Sequence, residues 1–250
     1  AIKRKQFEEG LFKAKLNAEE SEKLKSQFLA QVSHEIRSPV NTILSFNSLI
    51  YEKIKNNIDN KVEANFKIIN SASNRLIRTI DLILNMSEIQ TGTYDFNPRE
   101  IDIYSDILLS LIEETKITSQ NSNVEFKIAK TTDDTTRNVD AYAVTQIFVN
   151  LLENAFKYTH KGSVELGIHT SEKNELVISV TDTGIGITKE YIPKLFNPFS
   201  QEEQGYSRTF EGNGLGLAIA KNYCEMNGSK IKVESEKGVG TTFKIIFQNN

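Results

Sequence analysis

The stretch Phe28-Leu-Ala-Gln-Val-Ser-His34-Glu35-Ile-Arg-Ser38-Pro39 decides how the N-terminal part of this chain folds. Apolar residues recur through it and beyond it every three or four positions, which is the spacing of one buried face of a long helix. The face comprises Leu29, Val32, Ile36, Val40, Ile43, Ile50 and Ile54. His34 stands two residues from both Val32 and Ile36, so at about 100° per residue its imidazole points away from this face and into solvent. A lone histidine is most often an ordinary surface residue, and its role therefore depends on the other motifs.

Two long helices are predicted before any strand. The first runs from residue 2 to about residue 55, where glycine is absent after Gly10 and Pro39 is the only proline. It opens with the 4-3-4 spacing of a coiled-coil seam, at Phe7, Leu11, Ala14 and Ala18. After a polar turn at residues 56–60, a second helix carries the 4-3 alternation of a supercoiled bundle, at Val62, Phe66, Ile69, Ser73, Leu76, Ile80, Ile83 and Ser87. Two helices joined by a short loop cannot bury both faces, so we expect two copies of the chain to pair as a homodimer.

Beyond Gly92 the pattern changes to mixed α and β. Alternating or β-branched segments predict strands at residues 124–129, 163–170, 176–182, 230–235 and 241–247. Amphipathic helices are predicted at residues 141–158 and 215–227. The fold class is therefore multidomain, α and α+β: an N-terminal coiled coil and helical hairpin that form a dimeric four-helix bundle, followed by an α/β sandwich from about Asp95. Its sheet is antiparallel or mixed, with helices on one face.

Composition excludes several classes of function. The chain has 30 basic and 33 acidic residues, a net charge of −3 and no basic block, so nucleic acid is not an expected partner. Cys224 is the only cysteine, which excludes an intrachain disulfide and favours a reducing compartment. No apolar run approaches the roughly 20 residues that span a bilayer, so we expect a cytoplasmic segment without direct membrane contact. The sequence opens on Ala1 within a helical pattern, and we expect a sensor upstream of it.

The helix predicted at residues 141–158 carries a polar row beside its apolar face. Gln146, Asn150 and Asn154 stand four residues apart, and Lys157 follows three residues later. Asparagine is a poor helix former, and an ordinary solvated face would use glutamate and lysine instead. Amide oxygens suit a hard cation such as Mg²⁺, and a lysine suits phosphate. The row is either a solvated face or part of a nucleotide site.

Two glycine-rich segments support the interpretation that the polar row is part of a nucleotide site. Asp182-Thr-Gly184-Ile-Gly186 ends a predicted strand, where a carboxylate can accept a hydrogen bond from the exocyclic amine of a purine. Gly212-Asn-Gly214-Leu-Gly216 precedes a helix, and free N–H groups at a helix start favour phosphate. Alone, the second segment is equally consistent with a flexible loop.

The polar middle of the segment at residues 195–211, between the glycine-rich stretches, is a candidate mobile lid. Phe196 and Phe199 are its expected anchors, and glycines its hinges. Arg208 in its polar part is either a contact for a terminal phosphate or simply an exposed residue.

Taken together, these features resemble the catalytic core of a sensor histidine kinase. Five motifs occur in the family's order: the phosphoacceptor box at residues 34–39, the asparagine box at 150–159, the first glycine box at 182–186, the phenylalanine box at 196–199 and the second glycine box at 212–216. The resemblance implies a coiled-coil signalling linker at residues 1–24, a dimerisation and histidine phosphotransfer domain at 25–92, and a catalytic ATP-binding domain of the Bergerat type at 95–250. The lid sequence Ser207-Arg-Thr-Phe is similar to that of hybrid kinases.

The resemblance also implies roles for single residues. His34 would accept the phosphoryl group from ATP, and the adjacent Glu35 would orient the imidazole and take its proton. Asn154 would bind Mg²⁺ with Asn150 as its support, while Asp182 would read adenine. The other implied nucleotide contacts are Lys157 and Arg208 at the phosphates, Tyr158, Gly184, Gly186, Gly212, Gly214, Leu215 and Gly216.

The implied partners are a response regulator receiver domain, to which the phosphoryl group passes, and an upstream PAS-like sensor. Three residues depart from the usual family pattern. Ser38 stands where threonine is more frequent, Glu211 where many members have glycine, and Asn213 where threonine is common. Ser38 would act in dephosphorylation of the partner, and its identity leaves the strength of that activity open.

Two other functions remain candidates at this point. Hydrolytic ATPases of the same superfamily place a glutamate four residues before the magnesium asparagine, as the base that activates water. Here that residue is Asn150, which is a poor base. A degenerate kinase that serves as a dimeric scaffold is the second candidate, and intact motifs argue against it.

Overall fold

The computed structural model describes residues 2–120, 123–202 and 212–248. They divide into two compact units, with the boundary between Tyr94 and Asp95. The first unit is a helical hairpin and the second combines a mixed sheet with three helices. None of the described helices has the length and apolarity that crossing a lipid bilayer requires.

The hairpin consists of α1 (Ile2–Ile54) and α2 (Asn60–Thr91), joined by a short 3₁₀ turn. The predicted long helix is confirmed and continues through Pro39. Asp59 begins α2 by accepting a hydrogen bond from the Val62 N–H at 2.8 Å. Gly92 ends α2 in the left-handed conformation, with φ of 66°, a common helix stop. The predicted coiled-coil seam at Phe7, Leu11, Ala14 and Ala18 lies where the structure describes the backbone alone.

The buried face of α1 is narrower than the sequence pattern predicts. Val40 is buried, but Ile43 and Ile50 are 52% and 49% exposed in the single chain. Asn47 takes the intervening buried position, where its Nδ2 donates to Asn70 Oδ1 at 2.8 Å and to the Phe66 carbonyl at 3.2 Å. The single hairpin therefore does not bury Ile43 and Ile50, and their predicted burial would require a second copy of the chain. The helix α2 covers only one side of α1, and the apolar residues of α1 are spread over a wider face than α2 can cover.

The second unit is built on a five-stranded mixed sheet, as predicted. The described residues of this unit form seven strands in all: β1 (Arg99–Asp102), β2 (Val124–Lys130), β3 (Thr136–Val139), β4 (Gly162–Thr170), β5 (Leu176–Asp182), β6 (Lys230–Glu236) and β7 (Gly240–Phe247). The order of the main sheet is β2-β4-β5-β7-β6, in which β2 and β4 are parallel and the other pairs antiparallel. The short strands β1 and β3, absent from the sequence prediction, form a separate antiparallel pair.

Three helices accompany the sheet: α3 (Leu109–Gln120), α4 (Ala141–Tyr158) and α5 (Gly216–Met226). The helices α4 and α5 were predicted from their apolar faces, and α4 packs against both α5 and β5. Ile147, Phe148 and Leu151 of α4 are fully buried, together with Ile219 and Tyr223 of α5. Cys224 is also buried in α5, and this burial raises the pKa of its thiol to about 12.

Candidate functional site

His34 is exposed on α1, in agreement with its position opposite the predicted apolar face. Its neighbour Glu35 is exposed as well, and Glu35 Oε1 accepts a hydrogen bond from Gln31 Nε2 at 3.0 Å. One turn further along α1, Arg37 Nη2 forms an ion pair with Asp81 Oδ1 of α2 at 2.6 Å. Ser38 is exposed on the same stretch of the helix. His34, Glu35 and Ser38 are thus accessible to a second protein or domain.

The predicted polar row of α4 contains one buried and three half-buried side chains. Asn150 is only 3% exposed, and its Nδ2 donates to the Gln146 carbonyl at 2.8 Å. This bond leaves the Oδ1 atom of Asn150 directed at the start of α5, where a Cβ added to Gly216 would approach it to 2.9 Å. Asn154 and Lys157 are half-buried, and the Asn154 amide has no hydrogen-bond partner among residues 2–120, 123–202 and 212–248. The row is therefore more than a solvated face.

The second glycine box lies against this row. A Cβ at Gly212 would approach Lys157 Nζ to 2.8 Å, as a Cβ at Gly216 would approach Asn150. We call the region bordered by Asn150, Lys157, Gly212 and Gly216 the cradle. Lys157 Nζ also donates to Tyr158 Oη at 3.0 Å and lies 4.6 Å from the centre of that ring. A larger residue at Gly216 would press on the buried Asn150 amide, whereas at Gly212 the flexible Lys157 side chain could move aside.

The phenylalanine box is bonded to the second glycine box by its main chain. The Phe199 N–H donates to the Gly214 carbonyl at 3.0 Å, and both residues have positive φ, 61° and 68°. Gln201 Nε2 donates to the Gly212 carbonyl at 2.5 Å. Most of the segment predicted as a lid, including Arg208, lies at residues 203–211 and therefore outside the described residues. Leu215 is fully buried, so its side chain belongs to the core. Its N–H donates to Asn213 Oδ1 at 3.3 Å and its carbonyl accepts from the Ile219 N–H at 3.0 Å.

Asp182 lies at the end of β5 and is 7% exposed. Burial raises the pKa of Asp182 above its ordinary value, although the N–H groups of Gly184 and Thr241 donate to the carboxylate and favour the ionised form. Asp182 Oδ1 accepts from the Gly184 N–H at 2.9 Å. A buried carboxylate held by two main-chain donors is suited to a ligand that offers a further hydrogen-bond donor.

The first glycine box is fixed to the end of α4 as well as to β5. The Ile185 N–H donates to the Tyr158 carbonyl at 3.1 Å, and a Cβ at Gly184 would approach that same oxygen to 2.4 Å. Asp182, Tyr158 and the cradle are therefore parts of one site, built where α4, α5 and β5 meet.

The turn between β6 and β7 is a part of the site that the sequence reasoning missed. The Gly238 N–H donates to the Ile185 carbonyl at 2.8 Å. A Cβ at Gly186 would approach the Glu236 carbonyl oxygen to 1.9 Å, and one at Gly240 the Asp182 carbonyl oxygen to 2.0 Å. In the sequence, Gly238 and Gly240 lie between two predicted strands and therefore mark a hairpin. They do not reveal that this hairpin packs against the first glycine box.

The donors around the cradle fit a magnesium nucleotide. The start of α5 offers main-chain N–H groups and the positive end of a helix dipole, and Lys157 adds a cation, which together favour phosphate. Asn154 offers an amide oxygen for a hard cation. Among the described residues no group of three or more His, Cys, Asp and Glu side chains could hold a metal ion.

Comparison with known proteins gives two family matches. The family model described as histidine kinase-, DNA gyrase B- and HSP90-like ATPase matches residues 139–250. The His Kinase A (phospho-acceptor) domain matches residues 24–92. The two matches fall on separate units of the structure.

Relatives match over nearly the full chain. The autoinducer 2 sensor kinase/phosphatase LuxQ of Vibrio harveyi is 34% identical over 239 residues, which cover 93% of this chain and 27% of LuxQ. Histidine protein kinase 1 of Candida albicans is 34% identical over 237 residues, covering 93% of this chain and 9% of that protein. The chain thus spans about a quarter of the length of LuxQ and less of the fungal protein.

Solved structures support the fold. Full-length ShkA in complex with AMPPNP superposes with a TM-score of 0.68 at 24% identity, over 88% of this chain and 45% of ShkA. The histidine kinase AdeS of Acinetobacter baumannii gives a TM-score of 0.57 at 19% identity, over 87% of this chain and 98% of AdeS.

Proposed function

The chain belongs to the sensor histidine kinases as their catalytic core, and we propose that it uses ATP to phosphorylate His34 and passes the phosphoryl group to an aspartate of a response regulator receiver domain. The observation that carries the proposal is the cradle, in which two glycines lie against Asn150 and Lys157. The exposed histidine on a separate helical unit supplies the acceptor. ShkA was solved with AMPPNP, an ATP analogue, which supports ATP as the nucleotide.

Each residue of the site has a role in this proposal. The Asp182 carboxylate accepts a hydrogen bond from the adenine amine, and Tyr158 contacts the nucleotide. Lys157 and Arg208 bind phosphate oxygens, as do main-chain N–H groups of the second glycine box. Asn154 holds Mg²⁺ with Asn150 as its support, and the ion neutralises phosphate charge.

The reaction forms a P–N bond at His34 and breaks the bond between the γ-phosphorus and the oxygen that leaves with ADP. A neutral imidazole attacks with the lone pair of one nitrogen, and Glu35 accepts the proton of the other. Glu35 Oε1 accepts a hydrogen bond from Gln31 in this structure, and the second carboxylate oxygen is available to His34.

Water is a poor competitor for the γ-phosphate in this site. A hydrolytic ATPase of the superfamily would need a base where Asn150 stands, and Asn150 is a buried amide already bonded to α4. This observation favours phosphoryl transfer over ATP hydrolysis as the main activity.

The homodimer is supported by apolar side chains that the single hairpin leaves uncovered. On α1 these are Ile43, Phe46, Leu49 and Ile50, and on α2 they are Ile68, Ile69 and Leu76, each at least 42% exposed. Pairing of two hairpins would bury them in a four-helix bundle. A PAS-like sensor joined through residues 1–24 would control the dimer, and Ser38 would position water during dephosphorylation of the receiver domain.

A labelling experiment tests the kinase reaction. The protein is incubated with γ-labelled ATP and Mg²⁺, and the bound label is then exposed to acid, which cleaves phosphohistidine and leaves phosphoserine intact. We expect acid-labile label on the wild type and none on His34→Gln. His160→Gln, which changes another exposed histidine, serves as the matched control and should keep the label. Label retained on His34→Gln, or none on the wild type, would contradict the proposal.

A further inference from the structure

Asp140, the residue before α4, connects three separate segments of the second unit. It is only 4% exposed, and both of its carboxylate oxygens accept main-chain hydrogen bonds. Oδ1 accepts from the Ala143 N–H at 2.9 Å and so caps α4. Oδ2 accepts from the Asn97 N–H, also at 2.9 Å. Capping alone would use a single oxygen, so the second bond needs its own explanation.

Asn97 belongs to the segment that connects the two units. The hairpin ends at Gly92, the second unit starts at Asp95, and β1 begins at Arg99. The bond from Asn97 to Asp140 therefore attaches the incoming chain to the residue that caps the nucleotide helix α4. We call residues 95–98 the connector.

The main chain of Asp140 is bonded to the far end of α5. Its N–H donates to Asn227 Oδ1 at 2.7 Å, and Asn227 Nδ2 donates to the Tyr223 carbonyl at 2.8 Å. The start of α4 is thus held to the end of α5, whereas the cradle lies where α4 meets the start of α5. At one end, the pair α4 and α5 is bonded through Asp140 to the connector. At the other end, the same two helices border the cradle.

We propose that Asp140 is a positioning residue that anchors the connector to the two helices of the cradle, and this inference rests on the proposed kinase reaction. Transfer of a phosphoryl group between two units requires that the nucleotide reach His34 in a defined orientation. When the connector is bonded to Asp140, the second unit can adopt fewer orientations. When this bond is lost, more orientations become accessible. Release should therefore slow the transfer step and leave the contacts of the nucleotide unchanged.

Two variants separate anchoring from capping. Asp140→Ser keeps one oxygen for the cap of α4 and the N–H for Asn227, but loses the acceptor for Asn97. Asn97→Pro removes the donor from an exposed residue and leaves the Asp140 side chain in place. Because the buried Oδ2 atom of Asp140 loses this donor, thermal unfolding of the variant is measured as well. Thr145→Ala is the matched control, because it removes a local hydrogen bond of α4, from Thr145 Oγ1 to the Ala141 carbonyl at 2.7 Å.

The measurement is autophosphorylation kinetics of the full chain, together with the Kd of MgADP. We expect kcat to fall at least about tenfold in both Asp140→Ser and Asn97→Pro, the effect of one hydrogen bond to a carboxylate, with KM and Kd within about twofold of the wild type. Thr145→Ala should match the wild type in all three. The proposal is overturned if either variant retains its kcat, or if Kd rises in parallel with the loss of kcat.

Amide hydrogen exchange gives a second readout that does not depend on phosphorylation. MgADP should slow exchange of the Asn97 amide in the wild type, because ordering of α4 and α5 suppresses local opening at Asp140. It should have no such effect in Asp140→Ser. Equal protection in both proteins would refute the anchor, whereas a wild type that never acquires acid-labile label would refute the kinase reaction alone.

Discussion

Replacement of Gly186 by alanine should destabilise the second unit far more than the same change at Gly228. Both glycines have φ of 63°, so both variants force an alanine into the left-handed region, at about 1–2 kcal/mol each. They differ in their surroundings. A Cβ at Gly186 would lie 1.9 Å from the Glu236 carbonyl oxygen, whereas a Cβ at Gly228 has no atom within 4 Å among the described residues.

The contact at Gly186 sets the size of the difference. Real Cβ atoms almost never approach another atom closer than 3.0 Å, so the first glycine box and the turn between β6 and β7 must move apart. Overpacking of this kind costs about 1–3 kcal/mol. For a unit of this size, an additional 2 kcal/mol or so lowers the melting temperature by about 4–8 °C. Gly186→Ala should therefore melt about 4–8 °C below Gly228→Ala.

The assay is thermal unfolding of both variants with and without MgADP, combined with a direct measurement of nucleotide affinity. Movement of the turn displaces Thr241, whose N–H donates to Asp182, so Gly186→Ala should also bind MgADP about tenfold more weakly. Gly228→Ala should keep the wild-type affinity. If the two variants lose the same stability, the close approach at Gly186 contributes nothing and the argument is refuted.

Three further outcomes are expected. Asn154→Ala should lose magnesium-dependent nucleotide binding, with a weaker effect for Asn150→Ala, and equal affinity in wild type and Asn154→Ala by calorimetry would contradict the metal assignment. Ser38→Ala should lower phosphatase activity toward a phosphorylated receiver domain more than kinase activity, whereas a parallel fall in both assays would indicate helix damage. Because the pKa of Asp182 is raised in the folded state, its protonation stabilises the fold fully below its ordinary value of 3.8, and this contribution disappears as the pH rises through the raised pKa. Asp182→Asn should remove this component from a plot of melting temperature against pH, and an unchanged plot would exclude it.

Periodicity predicted the elements that bury a regular face. The long helix α1, the five strands of the main sheet and the amphipathic helices α4 and α5 all follow from the spacing of apolar residues. The exposure of His34 followed from the same spacing. Periodicity did not predict the short strands β1 and β3. Each has only four residues, and the two are stabilised by pairing with each other although they are far apart in the chain.

Tertiary neighbours explain what the sequence left open in the site. The polar row of α4 was visible, but the contact of its Asn150 with Gly216 depends on how α4 and α5 pack. The same holds for Gly186 and Glu236, which are far apart in the chain. The helical period of α1 was predicted correctly, but the buried position falls on Asn47 and not on the isoleucines near it. Asn47 is buried there because its side chain bonds to Asn70 of α2, a contact that the spacing of apolar residues does not reveal.

The burial of Cys224 makes this protein convenient for site-directed spectroscopy. Its thiol is the only one in the chain, and a pKa of about 12 in a closed core keeps it from forming the thiolate that maleimides and iodoacetamides attack. A cysteine introduced at an exposed position would therefore be the only reactive group, without removal of the native residue. A pair of fluorophores placed in this way, through one introduced cysteine on each unit, would report distances between the hairpin and the nucleotide unit during turnover, in a protein whose core has not been altered.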